Sequence, residues 1–515
     1  MVFNHLASKY FDEYFVEPNN LPGCSVRLDE HDKSEEACGV FGVYAPGEDV
    51  AKLSYFGLCA LQHRGQESAG IATFKGEQVY LHKDIGLVSQ IFSEPILNDL
   101  HGSLAIGHTR YPTTGSNCKA NVQPIVVDTR LGKLVLGHNG NLVNTMQLRS
   151  NLLSNNCDLV TTTDSEMIAL AIAEEVNAGA DWLKGAIRAF HHCNGAFSLV
   201  VGTPMGLMGV RDMNGIRPLI IGTLCGNPVR YVLASETCAL DIIGASYLRD
   251  VEPGELVWIT EEGLFSFYWS QRRKRKLCIF EMIYFARSDS LMYEESLYSY
   301  RVRLGRQLAI ESPVSADIVL GVPDSGVPAA LGFSQVSGIP YAEGIIKNRY
   351  VGRTFIQQTQ SIRESSIHIK FNLLKDLLYG KRVLVVDDSI VRGTTSRSLV
   401  KTLRDANVKE VHMRISSPPV THPCFYGINI DSQEQLIAAK KSVAEIAKQL
   451  GVDTLAYLSM KKMLQETKED SNSFCSACFT GDYPISVSDT VESSKSILEN
   501  WRCWASNGKF GRMKT

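Results

Sequence analysis

Two neighbouring acids, Asp387 and Asp388, close the apolar run Val383–Val386, and a loop with Gly393 and the hydroxyl residues Thr394, Thr395 and Ser396 follows. Backbone N–H groups at a helix start, with a glycine allowing close approach, make a phosphate cradle. Paired carboxylates at a strand end accept hydrogen bonds from vicinal sugar hydroxyls and hold a hydrated Mg²⁺. Two further segments carry related chemistry. GVPDSGVP, 321–328, also stands at a strand end, and KNRYVGRTFIQ, 347–357, sets Lys347, Arg349 and Arg353 around Gly352. Cations on a glycine-hinged loop can close over a phosphorylated ligand and exclude water from it. Singly these are an acidic strand end before a helix cap and a solvated basic surface; their company argues against both plain readings.

A second group of residues begins at Cys38. Freed as an N-terminus, a cysteine carries nucleophile and base in one residue, because its α-amine, with a pKa of about 8, can take the thiol proton. That requires removal of Met1–Ala37 by cleavage before Cys38. Arg110 in GHTRYPTTG, Asn139 and Gly140 in GHNGNLVN, and Asp164 in TTTDSE are a surface ion pair, a turn and a helix cap when taken one at a time. Cys475 and Cys478 form a C-x-x-C, whose plain alternatives are zinc, a redox pair or chance spacing. Cys59 and Cys225 lie in apolar runs and read as small core residues.

These residues need scaffolds. LAIGHTRY, KLVLGHNGNLV, FSLVVG and YVLASE are strand-like, and 164–178 reads as a helix behind an acidic first turn. Strands with few helices between them, persisting to about residue 260, predict a first domain of packed sheets flanked by helices. The basic run Arg272–Lys276 marks a composition shift, a solvated interdomain segment in preference to a nuclear address. Beyond it ADIVLGVP, KRVLVVDDS and KEVHMRISSPP are strands and SRSLVKTLRDAN is an amphipathic helix, the rhythm of a doubly wound domain. Val383–Val386 fits a strand covered on both faces. The tail after 463 reads as irregular except around FCSACF.

Composition sets the limits. A chain of 515 residues, 44% hydrophobic and 9% aromatic, can build two or more globular cores. A net charge of -3 gives no electrostatic reason to expect nucleic acid or a membrane surface as partner. The first 37 residues hold eight acids and three bases, which suits neither a secretory signal nor a transit peptide and makes the cytoplasm the expected location. Thirteen cysteines there argue against a disulfide framework.

The loops 321–328, 347–357 and 383–396 strongly resemble those that bind phosphoribosylpyrophosphate (PRPP) in type I phosphoribosyltransferases. EEACGVFG, QHRGQESAG, GHTRYPTTG, GHNGNLVN and TTTDSE follow in the order of the N-terminal-nucleophile glutamine amidotransferases. With ASETC and SPPVTHPCFYGINI added, roughly residues 35–485 are similar to the propeptide-bearing, iron–sulfur amidophosphoribosyltransferases. The resemblance implies a leader over 1–37, an αββα glutaminase sandwich over 38–275, an α/β phosphoribosyltransferase domain with a mainly parallel sheet over 276–462, and a ligand-bearing tail over 463–515. It implies Cys38 as nucleophile, Asn139 and the Gly140 N–H as oxyanion hole, Arg110 on the glutamine carboxylate and Asp164 on its ammonium, with Arg64, Gly65 and Glu67 shaping the pocket. Asp387 and Asp388 would face ribose and Mg²⁺, Ser389 and Arg392, Gly393, Thr394, Thr395 and Ser396 the 5-phosphate, Ser325 the metal, and Lys347, Arg349 and Arg353 the diphosphate. Cys238, Cys424, Cys475 and Cys478 would bind a [4Fe–4S] cluster, a set of sulfurs that tetrahedral zinc also accepts. Cys24 falls in the leader, and Cys118, Cys157, Cys193, Cys278 and Cys503 are left as core or surface thiols. The implied reaction joins ammonia from glutamine to PRPP at the start of purine synthesis, in a homotetramer inhibited by purine nucleotides. The alternatives are another amidotransferase of the same nucleophile class, for an aminosugar or asparagine, and a silent PRPP or nucleotide sensor.

Overall fold

Runs of apolar residues that stay buried on both sides build the first half of the chain. In order its strands are β1 (Gly39–Tyr44), β2 (Ser68–Lys75), β3 (Gln78–Ile85), β4 (Leu104–Arg110), β5 (Ile125–Thr129), β6 (Gly132–Leu142), β7 (Gly195–Thr203), β8 (Gly206–Arg211), β9 (Ile220–Leu224), β10 (Arg230–Ala234), β11 (Ser246–Asp250), β12 (Glu255–Thr260) and β13 (Gly263–Tyr268). The computed structural model describes residues 38–111, 119–226, 229–348, 371–428, 430 and 432–487, all within one unit, Asp32–Thr515. One sheet has the order β11–β9–β10–β1–β4–β2–β3 and the other β13–β12–β8–β7–β6–β5, antiparallel throughout. Between the sheets lie Val40, Ile106, Val135, Val200 and Leu233. Their neighbours point the other way: Phe41 and Val43 pack under the helix Val50–Ala60, while Leu136 and Leu199 pack under Asp164–Asn177 and Trp182–Phe190. Helix, sheet, sheet, helix is the expected sandwich, and the expected helix at 164–178 is there.

The second half is wound around β14 (Leu277–Cys278), β15 (Ile318–Gly321), β16 (Arg382–Asp387), β17 (Glu410–Ile415), β18 (Thr454–Tyr457) and β19 (Phe474–Cys475). Its main sheet, β15–β16–β17–β18, is parallel. Val383 and Val385 join the core under the helix Thr394–Asp405, and Leu384 and Val386 the core under Leu297–Glu311 and Gly326–Ser337. Full coverage of both faces is why this strand is continuously apolar.

Up to residue 487 the tail is more ordered than its composition suggests. β19 pairs in parallel with β14, Leu277 opposite Phe474 and Cys278 opposite Cys475. Lys274 and Arg275 of the basic run meet Asp470 at 2.5 Å and Glu469 at 2.8 Å, so the interdomain segment anchors the tail. Among the described residues no helix is long and apolar enough to cross a membrane.

Candidate active sites

Cys38 immediately precedes β1, whose Gly39 pairs with Thr109 of β4, and its Sγ lies 3.6 Å from the carbonyl of Tyr111. Burial dominates its environment and pushes the thiol up to about 11; Arg110 draws it down, Asp164 raises it and Arg217 lowers it. Cys38, Arg110 and Asp164 are thus brought together as expected. Gly65 sets the height of the arginine, since a Cβ there would stand 2.6 Å from the backbone N and C of Arg110. Asp164 opens its helix, accepts from the N–H of Leu142 at 3.0 Å and faces His138 Nδ1 at 3.6 Å. Burial alone would raise its carboxyl, but His138 and the backbone donors hold it below the ordinary carboxylate range.

Asn139, on β6, is fully buried, and neither atom of its amide has a hydrogen-bond partner among the described residues. Leaving a buried amide unmade costs about 1–3 kcal/mol, so a fold keeps one where a ligand completes it. Gly140 follows at φ +148°, with the carbonyl of Ala196 filling the space of a Cβ. His108 of β4 reaches the carbonyl of His138 at 2.9 Å, tying the Arg110 strand to the Asn139 strand one sheet away. His138 and Arg217 are functional neighbours that sequence reasoning missed; the first lay inside a quoted motif, and the second had no local signal.

Arg64, expected to help shape the pocket, is held in a network of ion pairs. It is buried and ion-paired to Glu236 and Glu281, while His63 meets Glu236 at 2.7 Å and Arg217 meets Glu281 at 2.5 Å. Burial would raise the Glu236 carboxyl, but His63 and Arg64 pull it far below the usual range. A charge chain from residues 63–64 to 281 therefore joins the two halves.

In the second half Asp387 ends β16 and Asp388 begins the loop, both buried. The Asp388 carboxylate accepts from Ser325 Oγ and, at 2.6 Å, from Ser389 Oγ, while its N–H donates to Asp387 Oδ1 at 2.9 Å. The 321–328 and 387–396 loops therefore meet at one carboxylate. Gly326 allows it, because a Cβ there would be 2.6 Å from the Val386 carbonyl. Gly393, at φ +83°, turns the chain from Arg392 into the helix that begins Thr394, Thr395, Ser396. Lys347 ends the short strand Ile345–Lys347 and pairs with Asp324 at 2.5 Å. Arg349 and Arg353, like Met1–Ala37, Cys118 and Cys503, lie outside the described residues.

The cysteines require a correction. Cys424, Cys475 and Cys478 share one apolar cluster with Cys278, which sits opposite Cys475 across β14 and β19. Burial pushes the Cys278 thiol up to about 12, with Cys424 adding to the rise; Cys475 and Cys478 are likewise raised by burial and by Cys278 and Cys424. Cys238 is elsewhere, in the core under Val50–Ala60, with its Sγ 3.8 Å from the Ala60 carbonyl and from Glu236. Cys278, expected as a core or surface thiol, takes the place expected of Cys238. Its position carries no spacing signal, because only the return of the tail to β14 brings it to the others. Among the described residues no three His, Cys, Asp or Glu side chains stand in ion-holding geometry, so proximity is what unites these four. Cys225, expected in the core, is exposed just past β9.

Residues 108–241 match the family model of a glutamine amidotransferase domain and 306–416 that of a phosphoribosyl transferase domain. Fold and sites together define a glutamine amidotransferase coupled to a phosphoribosyltransferase. Amidophosphoribosyltransferase of Synechocystis sp. is 67% identical over 470 residues, 91% of this chain and 95% of that protein. A solved structure described as the allosteric regulatory enzyme of purine biosynthesis aligns with TM-score 0.84 at 43% identity, covering 90% of this chain and 99% of its own. The glutamine PRPP amidotransferase of B. subtilis, solved with ADP and GMP, aligns with TM-score 0.82 at 44% identity, covering 88% and 98%. The chain belongs to the amidophosphoribosyltransferase family.

Proposed function

We propose that this chain converts PRPP, glutamine and water into 5-phosphoribosylamine, pyrophosphate and glutamate, the first committed step of purine synthesis. Cleavage after Ala37 frees Cys38, whose thiolate attacks the glutamine amide carbon as the α-amine takes the thiol proton. Asn139 Nδ2 and the Gly140 N–H donate to the oxyanion, while Arg110 clamps the substrate carboxylate and Asp164 its ammonium. The C–N bond breaks, ammonia leaves with the proton, and water hydrolyses the thioester to glutamate. Ammonia passes internally to C1 of PRPP, where a C–N bond forms as the bond to pyrophosphate breaks and one proton is lost.

Asp387 and Asp388 hold the ribose hydroxyls, Ser389 and residues 392–396 the 5-phosphate, and Lys347, Arg349 and Arg353 the pyrophosphate. Mg²⁺ would sit at Ser325, Asp387 and Asp388 and screen the leaving diphosphate; the half-buried Ser325–Asp388 contact fits such a donor set. Cys278, Cys424, Cys475 and Cys478 fit a [4Fe–4S] cluster, being four clustered thiols in apolar surroundings. Such a group would pin the tail to the second half, a structural role, as the reaction moves no electrons. Purine nucleotides, the class bound in the B. subtilis relative, are the proposed regulators, acting on a cytoplasmic homotetramer.

The observation that carries this reading is the convergence of Arg110 and Asp164 on a buried N-terminal-domain cysteine, in one fold with the loops that meet at Asp388. Cys38→Ala should abolish glutamine-dependent formation of phosphoribosylamine and leave ammonia-dependent formation in place. Loss of both activities in a folded Cys38→Ala protein would exclude two separate sites.

A further inference from the structure

Gly427, from the second half of the chain, stands against the oxyanion strand of the first. Its φ is +103°, and a Cβ on it would lie 3.0 Å from both the Cα and the carbonyl carbon of Gly140. Beside this contact Asn141 Nδ2 donates to the carbonyl of Phe425 at 3.1 Å. The short segment 425–427 is therefore pressed onto β6 immediately after Asn139. Its other side is fixed by the tail. The Tyr426 hydroxyl donates to the Ile485 carbonyl at 2.6 Å and accepts from the Ile485 N–H at 3.0 Å, and the Tyr426 N–H donates to Cys424 Sγ at 3.4 Å.

Resting on the reading of Gly140 as an oxyanion donor, we infer that Gly427 is a positioning residue for glutamine hydrolysis. The tail and Cys424 hold the turn at 425–427, and the turn holds the Gly140 peptide at the place where negative charge develops. Only a glycine meets both conditions, the left-handed φ and the backbone-to-backbone approach. Oxyanion donors act at about 2.7–3.1 Å from the developing charge, so a displacement of a few tenths of an ångström reduces their effect. The phosphoribosyl loops meet at Asp388, just past the end of β16, whereas the hydrogen bonds of Phe425 and Tyr426 run to Asn141, Cys424 and Ile485. Glutamine hydrolysis alone should therefore register its position.

Gly427→Ala and the milder Tyr426→Phe test this in the full-length protein matured to Cys38. Losing one oxyanion donor lowers kcat by about 10²–10³, so a displaced donor in Gly427→Ala should cost at least about tenfold in glutamine-dependent kcat. KM for glutamine should stay within about twofold, because Arg110 and Asp164 are untouched and binding without chemistry needs no oxyanion. Ammonia-dependent turnover should match the unsubstituted protein, and iodoacetamide should alkylate Cys38 at the same rate, since displacement at a saturated carbon forms no oxyanion. Tyr426→Phe should show the same pattern with a smaller drop. A parallel fall of both turnover modes, slower alkylation, or unchanged glutamine kcat in Gly427→Ala would each overturn the inference. Absence of ammonia-dependent turnover in the unsubstituted protein would instead count against the function proposed above.

Discussion

Cys38, the proposed nucleophile, does not ionise by itself near neutral pH. Burial holds the thiol at about 11, and the opposing pulls of Arg110 and Asp164 leave it there. The residue type suggested the solution, because a cysteine at a chain start brings an amine of ordinary pKa about 7.7–8.0. The base must be deprotonated to act, so kcat/KM for glutamine should fall about tenfold per pH unit below the amine's pKa and level off above it. A pH profile that keeps climbing toward 11 would show the thiolate forming without the amine and would remove that role. Cys38, Arg110 and Asp164 were legible because each has a chemistry its neighbours in sequence advertise. Arg217 and Cys278 were not, because their significance comes from side chains more than sixty residues away, Glu281 and Cys38 for the one and Cys424 and Cys475 for the other.

At the scale of elements, what the sequence made plain was periodicity. Val383–Val386 fits a strand with two cores, and Leu384 and Val386 indeed face the core opposite Val383 and Val385. Short elements without a pattern of their own stayed hidden: β14 and β19 have two residues each and exist because they pair with one another. The turn into the phosphate helix shows how strictly an element can constrain one residue. Gly393 has φ +83°, and a Cβ on it would lie 2.9 Å from Ile437 Cδ1. An L-residue in that left-handed region costs about 1–2 kcal/mol, so Gly393→Ala should relieve the strain by tilting the first turn that carries Thr395 and Ser396. KM for PRPP should rise several-fold with either nitrogen source, and KM for glutamine should not move. An increase confined to the glutamine-driven assay would place this helix with the wrong substrate.

The whole molecule is held across its domain boundary by two devices of different kind. Arg64 reaches Glu281 through a buried ion pair, and removing one partner of such a pair costs about 3–5 kcal/mol because a charge is left stranded. The second is the cysteine group, where Cys278 opens the second half, Cys424 lies further along it and Cys475 and Cys478 lie in the tail, all in one apolar cluster with Val143, Ala196 and Ile216 of the first half. Burial and neighbouring thiols keep Cys278, Cys475 and Cys478 neutral, so on their own they pack as small apolar side chains; a metal that takes the group as thiolates turns it into a staple, because ligand binding to the native state alone adds stability. Cys278→Ser should therefore abolish bound iron and sulfide and lower Tm. Cys238→Ser should leave iron content intact, because that thiol neighbours Glu236 and Ala60 in a different core from Cys278, Cys424, Cys475 and Cys478. Iron and sulfide analysis of the two anaerobically purified variants, beside thermal denaturation, distinguishes the assignments in one experiment. Iron retained in Cys278→Ser and lost in Cys238→Ser would restore the ligand set the sequence alone suggested, and would mean that the pairing of β14 with β19 brings Cys278 to Cys475 for packing only.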